Sequence, residues 1–146
     1  MNPENKLREM IKRHEGLKLH SYRCPAGRLT IGYGHNLEAH GEADPGVITM
    51  QQAEAYLDED IANARKQCMS LVGWDELGEV RRAVLIDMCF QMGFGGLKGF
   101  PRMLHWIAKG YYQQAAIEMA DSTWAKNQTP GRAKELALMM STGTWK

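Results

Sequence analysis

Cysteine is scarce and unpaired: Cys24, Cys68 and Cys89 are an odd number at wide spacings with no C-x-x-C motif, which predicts free thiols in a reducing compartment. Neither sign of charge dominates. Eighteen Lys and Arg against 17 Asp and Glu leave a formal charge of +1, so the chain lacks the basic field of a dedicated nucleic-acid binder. Long apolar runs are missing as well. The longest, Ala83 to Ile86 resuming at Met88 to Phe90, is broken by Asp87 and is too short to cross a bilayer, so no stable membrane association is expected. The first ten residues mix charge with apolar side chains and hold no signal-peptide pattern, which predicts a product that stays where it is made. His14-Glu15 is followed by Lys18 where H-E-x-x-H needs a second histidine, and Gly32-Tyr33-Gly34 lacks the rest of a dinucleotide fingerprint. Neither a metal nor a cofactor is expected, and no internal repeat is visible.

What remains is an ordinary globular mixture of 44% hydrophobic and 24% charged residues in a chain of 146, enough for one domain with its own core. Asn2 reads as an N-cap with Pro3 at the first helical position. Leu7, Met10, Ile11 and His14 then recur at helical spacing until Gly16. Leu17, Leu19 and Ser21 alternate with Lys18, His20 and Tyr22 as a strand that closes at the Cys24-Pro25-Ala26-Gly27 turn. A returning strand is predicted over residues 28–35, with Leu29, Ile31 and Tyr33 on one face and Thr30, Gly32 and Gly34 on the other. Residues 36–46 read as a polar loop. Thr49 and Gln52 make a capping-box signature for a long helix whose stripe is Ala53, Leu57, Ile61, Ala64, Cys68 and Leu71. Further helices are predicted at about 77–92, apolar nearly all round, and at 101–109, 111–124 and 130–141. The fold class is α+β and mostly helical: a small N-terminal lobe with a hairpin or short antiparallel sheet, a connecting helix, and a C-terminal helical bundle.

Glu15 closes the first helix, where the negative end of the macrodipole and partial burial would raise its pKa toward that of a general acid. The other reading of the position is an exposed glutamate beside His14. The two glycines on one strand face either admit close approach by a ligand or another backbone, or mark a bulge or tight bend. Asp60 sits beside the apolar stripe of the long helix and requires a partner there. Glu15, Cys24 and Thr30, joined by a helix end, a hairpin turn and a bare strand face, would bring an acid, a thiol and a hydroxyl to one region.

Glu15-Gly16-Leu17, Tyr22 and Thr30-Ile31-Gly32-Tyr33-Gly34-His35 closely resemble the phage-type lysozymes of the T-even kind. So do Gly46-Val47-Ile48-Thr49, Arg81-Arg82-Ala83, Phe90-Gln91-Met92-Gly93, Asn127-Gln128-Thr129-Pro130, Arg132-Ala133-Lys134 and Thr142-Gly143-Thr144-Trp145, in order along almost the whole chain. The resemblance implies one lysozyme domain over 1–146, with a hairpin lobe at about 15–60 and a helical lobe from about 61 to 146 that also takes the N-terminal helix. It implies an endolysin that hydrolyses the N-acetylmuramic acid to N-acetylglucosamine bond of peptidoglycan in a cleft between the lobes. Glu15 would be the general acid, and Cys24 and Thr30 would place a water. Cys24 stands where the best-known members carry Asp, and three readings follow: a thiolate nucleophile, a thiol that orients the water, which we favour, or a bystander in the turn. Gly34, Asn36, Phe90, Gln91, Trp124 and Arg132 would contact substrate, and His35 would pair with Asp60 as a structural ion pair. A monomer acting on glycan strands is expected, held in the host cytoplasm until a holin opens the membrane. Two rivals from other classes are a cysteine peptidase or amidase using Cys24 and His35, and a wall-binding module without catalysis.

Overall fold

The computed structural model describes residues 1–146. Asn2 starts helix α1 (Pro3–Glu15): its side chain accepts the Asn5 N–H at 2.8 Å, and Pro3 fills the first turn. Gly16, at φ 72°, stops the helix and donates its N–H to the Lys12 carbonyl.

Three antiparallel strands follow in chain order, β1 (Lys18–Arg23), β2 (Leu29–Gly32) and β3 (His35–Asn36). The single strand expected over 28–35 is in fact two. Gly32 and Gly34 take left-handed φ values of 68° and 71° and reverse the chain about Tyr33, so that Ile31 pairs with His35. The sequence pattern continues in alternation through a hairpin turn, which periodicity alone does not reveal. The loop after β3 returns to the sheet at Val47, which bridges His20. Helix α2 (Met50–Cys68) begins at a reciprocal capping box, with Thr49 N–H on Gln52 Oε1 at 2.8 Å and Gln52 N–H on Thr49 Oγ1 at 3.1 Å.

The chain divides into two compact units, Met1–Asn63 and Ala64–Lys146, and α2 runs through the division. In the first unit, α1 is tied to α2 by charge: Arg8 meets Glu54 and Asp58, and Lys12 reaches Glu54 at 2.8 Å. Hydrogen bonds from Lys12 and then Arg8 hold the Glu54 carboxyl below its usual range despite partial burial. Ile11 of α1, Ile31 and Leu37 of the sheet region and Leu57 of α2 are all buried in this unit.

The second unit is helical: a 3₁₀ turn at Trp74–Glu76, α3 (Glu79–Lys98), α4 (Pro101–Ala108), α5 (Tyr112–Ala120), one π turn at Trp124–Gln128, and α6 (Pro130–Thr142). Every residue of α3 from 83 to 89 is buried, as its all-round apolar character predicts. Full burial of a side chain such as Leu85 contributes about 2 kcal/mol. The first stretch of α3 ends at Met92 as the pattern predicts: Gly93 leaves helical geometry (φ 77°, ψ 164°), and a second helical stretch, which the sequence reading did not include, follows to Lys98. The helix predicted over 111–124 stops at Ala120, and Trp124 opens the π turn. No helix is long and apolar enough to cross a membrane.

Candidate active site

Glu15, Cys24, Thr30, Gly34, His35, Asn36 and Asp60 lie in the N-terminal unit, whereas Phe90, Gln91, Trp124 and Arg132 lie in the C-terminal one. Glu15 is the last residue of α1, and its side chain packs directly on Gly34 in the turn between β2 and β3. A Cβ on Gly34 would overlap Glu15 Oε1 and stand 2.9 Å from its Cδ. The tight-bend reading of the two glycines holds, and what approaches Gly34 is a side chain of the same chain rather than a ligand or another backbone. Gly34 provides the tight bend and also the space into which the carboxyl fits, whereas Gly32 would place a Cβ at an ordinary 3.6 Å from Ala53.

Cys24 and Thr30 are joined through one backbone carbonyl. The Arg28 oxygen accepts the Cys24 N–H at 3.0 Å and the Thr30 hydroxyl at 2.9 Å, which closes the turn and fixes Thr30 behind it. Burial pushes the Cys24 thiol up, but hydrogen bonds from the backbone of Arg28 and Ala26 and from the Thr30 hydroxyl, with the Arg28 charge, outweigh it and leave the thiol below its ordinary value. The Thr30 proton rests on the Arg28 carbonyl beside a thiol and can turn toward a thiolate. Cys24, Cys68 and Cys89 are all free thiols.

Thr30 stands in register with Tyr22 on β1 and Asn36 on β3, so these three side chains form a row across the sheet. Burial, and then the negative charges of Glu15 and Cys24, raise the Tyr22 phenol above its usual value. In the sequence Tyr22 stands out only as part of the family resemblance. Its cross-strand position opposite Thr30 is the signal that could have found it.

His35 is buried, with Nδ1 2.7 Å from Asp60 Oδ2 and Nε2 2.9 Å from Glu42 Oε1. Its ring stacks on Tyr56 at 4.0 Å between centroids. Burial alone would lower its pKa, but hydrogen bonds and charge from Asp60 and then Glu42 outweigh burial and raise it. Both ring nitrogens are thus given to carboxylates, and the His35 to Cys24 contact that a cysteine peptidase requires is not formed. Glu42 escapes sequence reasoning because it lies in the polar loop, where a glutamate carries no local signal.

In the C-terminal unit the Gln91 amide is held on both sides: its oxygen accepts Trp124 Nε1–H at 3.0 Å, and its nitrogen donates to Thr129 Oγ1 at 3.1 Å. Trp124 is buried and meets Phe100 edge to face at 5.8 Å. Phe90 is half-buried on α3. Arg132 donates from Nε to Asp87 Oδ1 at 2.8 Å, with side-chain exposures of 8% and 0%. Asp87 is conspicuous in the sequence only for interrupting an apolar run. A carboxylate inside a helix that is apolar all round is itself the signal for a buried cationic partner.

A family model described as phage lysozyme matches residues 12–138. The chain is similar to the pre-baseplate central spike protein Gp5 of Enterobacteria phage T4, at 32% identity over 165 aligned positions covering 97% of this chain and 28% of that protein. It is similar to "Probable T4-type lysozyme 1" of Dictyostelium discoideum, at 29% identity over 162 positions covering 94% and 95% of the two chains. A shorter stretch of 53 residues is 57% identical to the endolysin of Acyrthosiphon pisum secondary endosymbiont phage 1, covering 36% of this chain and 34% of that one. The chain thus spans little more than a quarter of the spike protein and nearly the whole of the Dictyostelium lysozyme.

Proposed function

Because the chain belongs to the phage lysozyme family, we propose that it hydrolyses the bond between N-acetylmuramic acid and N-acetylglucosamine in peptidoglycan, with residues 1–146 acting as one lysozyme domain. Glu15 delivers its proton to the glycosidic oxygen, which departs with the electron pair of the breaking C–O bond as a neutral alcohol. A water positioned by Cys24 and Thr30 supplies the oxygen for the new bond at the anomeric carbon and loses a proton to bulk water, from which the Glu15 carboxylate takes one back, so that the net change is one water added across the C–O bond. The observation that carries this reading is the seating of the Glu15 carboxyl on Gly34, in the turn that follows the strand holding Thr30, whose hydroxyl shares the Arg28 carbonyl with Cys24.

Gly34, Asn36, Phe90, Gln91, Trp124 and Arg132 contact the glycan in this reading, and His35 with Asp60 holds the loop after β3 in place. The partner is the peptidoglycan glycan strand, met by a monomer. Such an endolysin waits in the host cytoplasm and reaches the wall after a holin opens the membrane.

The test follows turbidity of purified cell walls with wild type and Glu15→Gln, while reducing ends and free amino groups are assayed. New reducing ends that fall by about 100-fold or more in the variant support the assignment of Glu15. New amino groups that survive Glu15→Gln would overturn it and move the chemistry to Cys24. Neither product from wild type would leave a binding module.

A further inference from the structure

A second constellation lies where the loop after β3 meets α2. The Nδ1 of His40 is 2.8 Å from the Asn36 carbonyl oxygen, and since a carbonyl only accepts, that nitrogen carries the proton. The other ring nitrogen, Nε2, stands 3.5 Å from Asp60 Oδ1. Asp60 Oδ1 is buried and takes no hydrogen bond from the chain, while Oδ2 is held by His35 Nδ1 at 2.7 Å. A buried carboxylate oxygen without a hydrogen bond, beside an imidazole nitrogen, is a place for a cation, either a proton on Nε2 or a metal ion held between the two atoms.

The spacing suits one. Two bonds of about 2.1 Å from a single ion at a near-tetrahedral angle span roughly 3.4 Å. Each donor also has the outer hydrogen bond that metal ligands use: the Asn36 carbonyl fixes the His40 tautomer, and His35 fixes the Asp60 carboxylate. His35 and His40 stack at 4.5 Å between centroids, and one ligand atom from each of His35, His40 and Asp60 fits within 4.8 Å of the others.

We propose that His40 Nε2 and Asp60 Oδ1 bind a divalent transition-metal ion of the zinc class, with His35 orienting the carboxylate and water completing the shell on the exposed side of His40. An imidazole beside a carboxylate favours Zn²⁺, Ni²⁺ or Cu²⁺ over Mg²⁺ or Ca²⁺, which select all-oxygen shells. The ion staples the loop that carries His40 to α2. No sequence motif marks the site, because the two ligands are far apart in the chain and only the hairpin brings them together.

The test is thermal unfolding with added Zn²⁺, together with calorimetric titration of Zn²⁺, on wild type, His40→Gln and Asp60→Asn after removal of metal with a chelator. Wild type is expected to bind one ion and to rise in Tm by about 5 °C at roughly hundredfold excess over its dissociation constant. His40→Gln should lose both effects and Mg²⁺ should produce neither. His40→Gln carries the test even if Asp60→Asn folds poorly, since its ring is half-exposed and every other thiol and histidine stays in place. A Zn²⁺ response absent from wild type, or undiminished in His40→Gln, overturns the proposal.

Discussion

The Glu15 carboxyl rests against Gly34, whose φ of 71° also turns the hairpin. One glycine thus serves two needs, a left-handed backbone and the absence of a side chain. The helix that ends in the acid and the turn that receives it are held in a single contact.

Gly34→Ala separates the two needs. The left-handed alanine costs about 1 kcal/mol of stability, but its Cβ also displaces the carboxyl, and activity should fall by about 100-fold. Gly41→Ala is the control, because Gly41 has φ 63° and a Cβ there would meet nothing within 4 Å. It should show the same loss of stability with near wild-type wall hydrolysis. Equal activity in the two variants would remove Gly34 from the site.

Cys24→Asp is expected to keep activity and Cys24→Ala to lose most of it, measured as reducing ends released from purified walls. Because the Thr30 hydroxyl and the neighbouring backbone lower the thiol, alkylation of Cys24 by iodoacetamide should set in at a lower pH than for free cysteine. Thr30→Val should shift that profile upward. An Ala variant with wild-type turnover would make Cys24 a bystander.

His35 predicts a pH dependence of stability, measured in chelator so that metal plays no part. Its folded pKa is raised above the ordinary 6.5 by Asp60 and Glu42, with His40 and Tyr56 packed on its faces. The stabilisation is therefore complete below 6.5 and is lost as pH rises through the folded value. Asp60→Asn should cost about 3 kcal/mol at a pH of about 5.5, and less above the folded pKa of His35. A cost that does not change with pH would show that the charge on His35 contributes nothing.

Arg132 and Asp87 should behave as a buried pair. Arg132→Leu removes the guanidinium bonded to Asp87, whose side chain is 0% exposed, and about 3–5 kcal/mol should be lost. The double replacement with Asp87→Leu should recover much of it. If Arg132 also binds glycan, KM rises in the single variant at temperatures where it is still folded. An unchanged KM would confine the residue to support of α3.

Much of the fold could be read locally. The Asn2 cap, the stop at Gly16, the Cys24 to Gly27 turn and the Thr49 to Gln52 capping box each depend on residues within one turn of one another, and each forms where the pattern places it. The lysozyme strings pointed to Glu15, Cys24 and Thr30 by their order in the chain. The split of the 28–35 strand was concealed because an alternating pattern is compatible both with a strand and with a hairpin that reverses at glycine.

Sequence by itself determined where helices start, which faces are apolar, and that Asp60 needs a partner once buried. The family resemblance already named His35 for Asp60, whereas the tertiary structure alone decided Glu42 as the second partner of His35, Arg132 for Asp87, and Gly34 as the surface beneath Glu15. The physical reason is range. Caps and periodicity act over a few residues along the chain, whereas a buried charge can be satisfied by any complementary group that packing brings within about 3 Å, and that choice is made by the assembled fold.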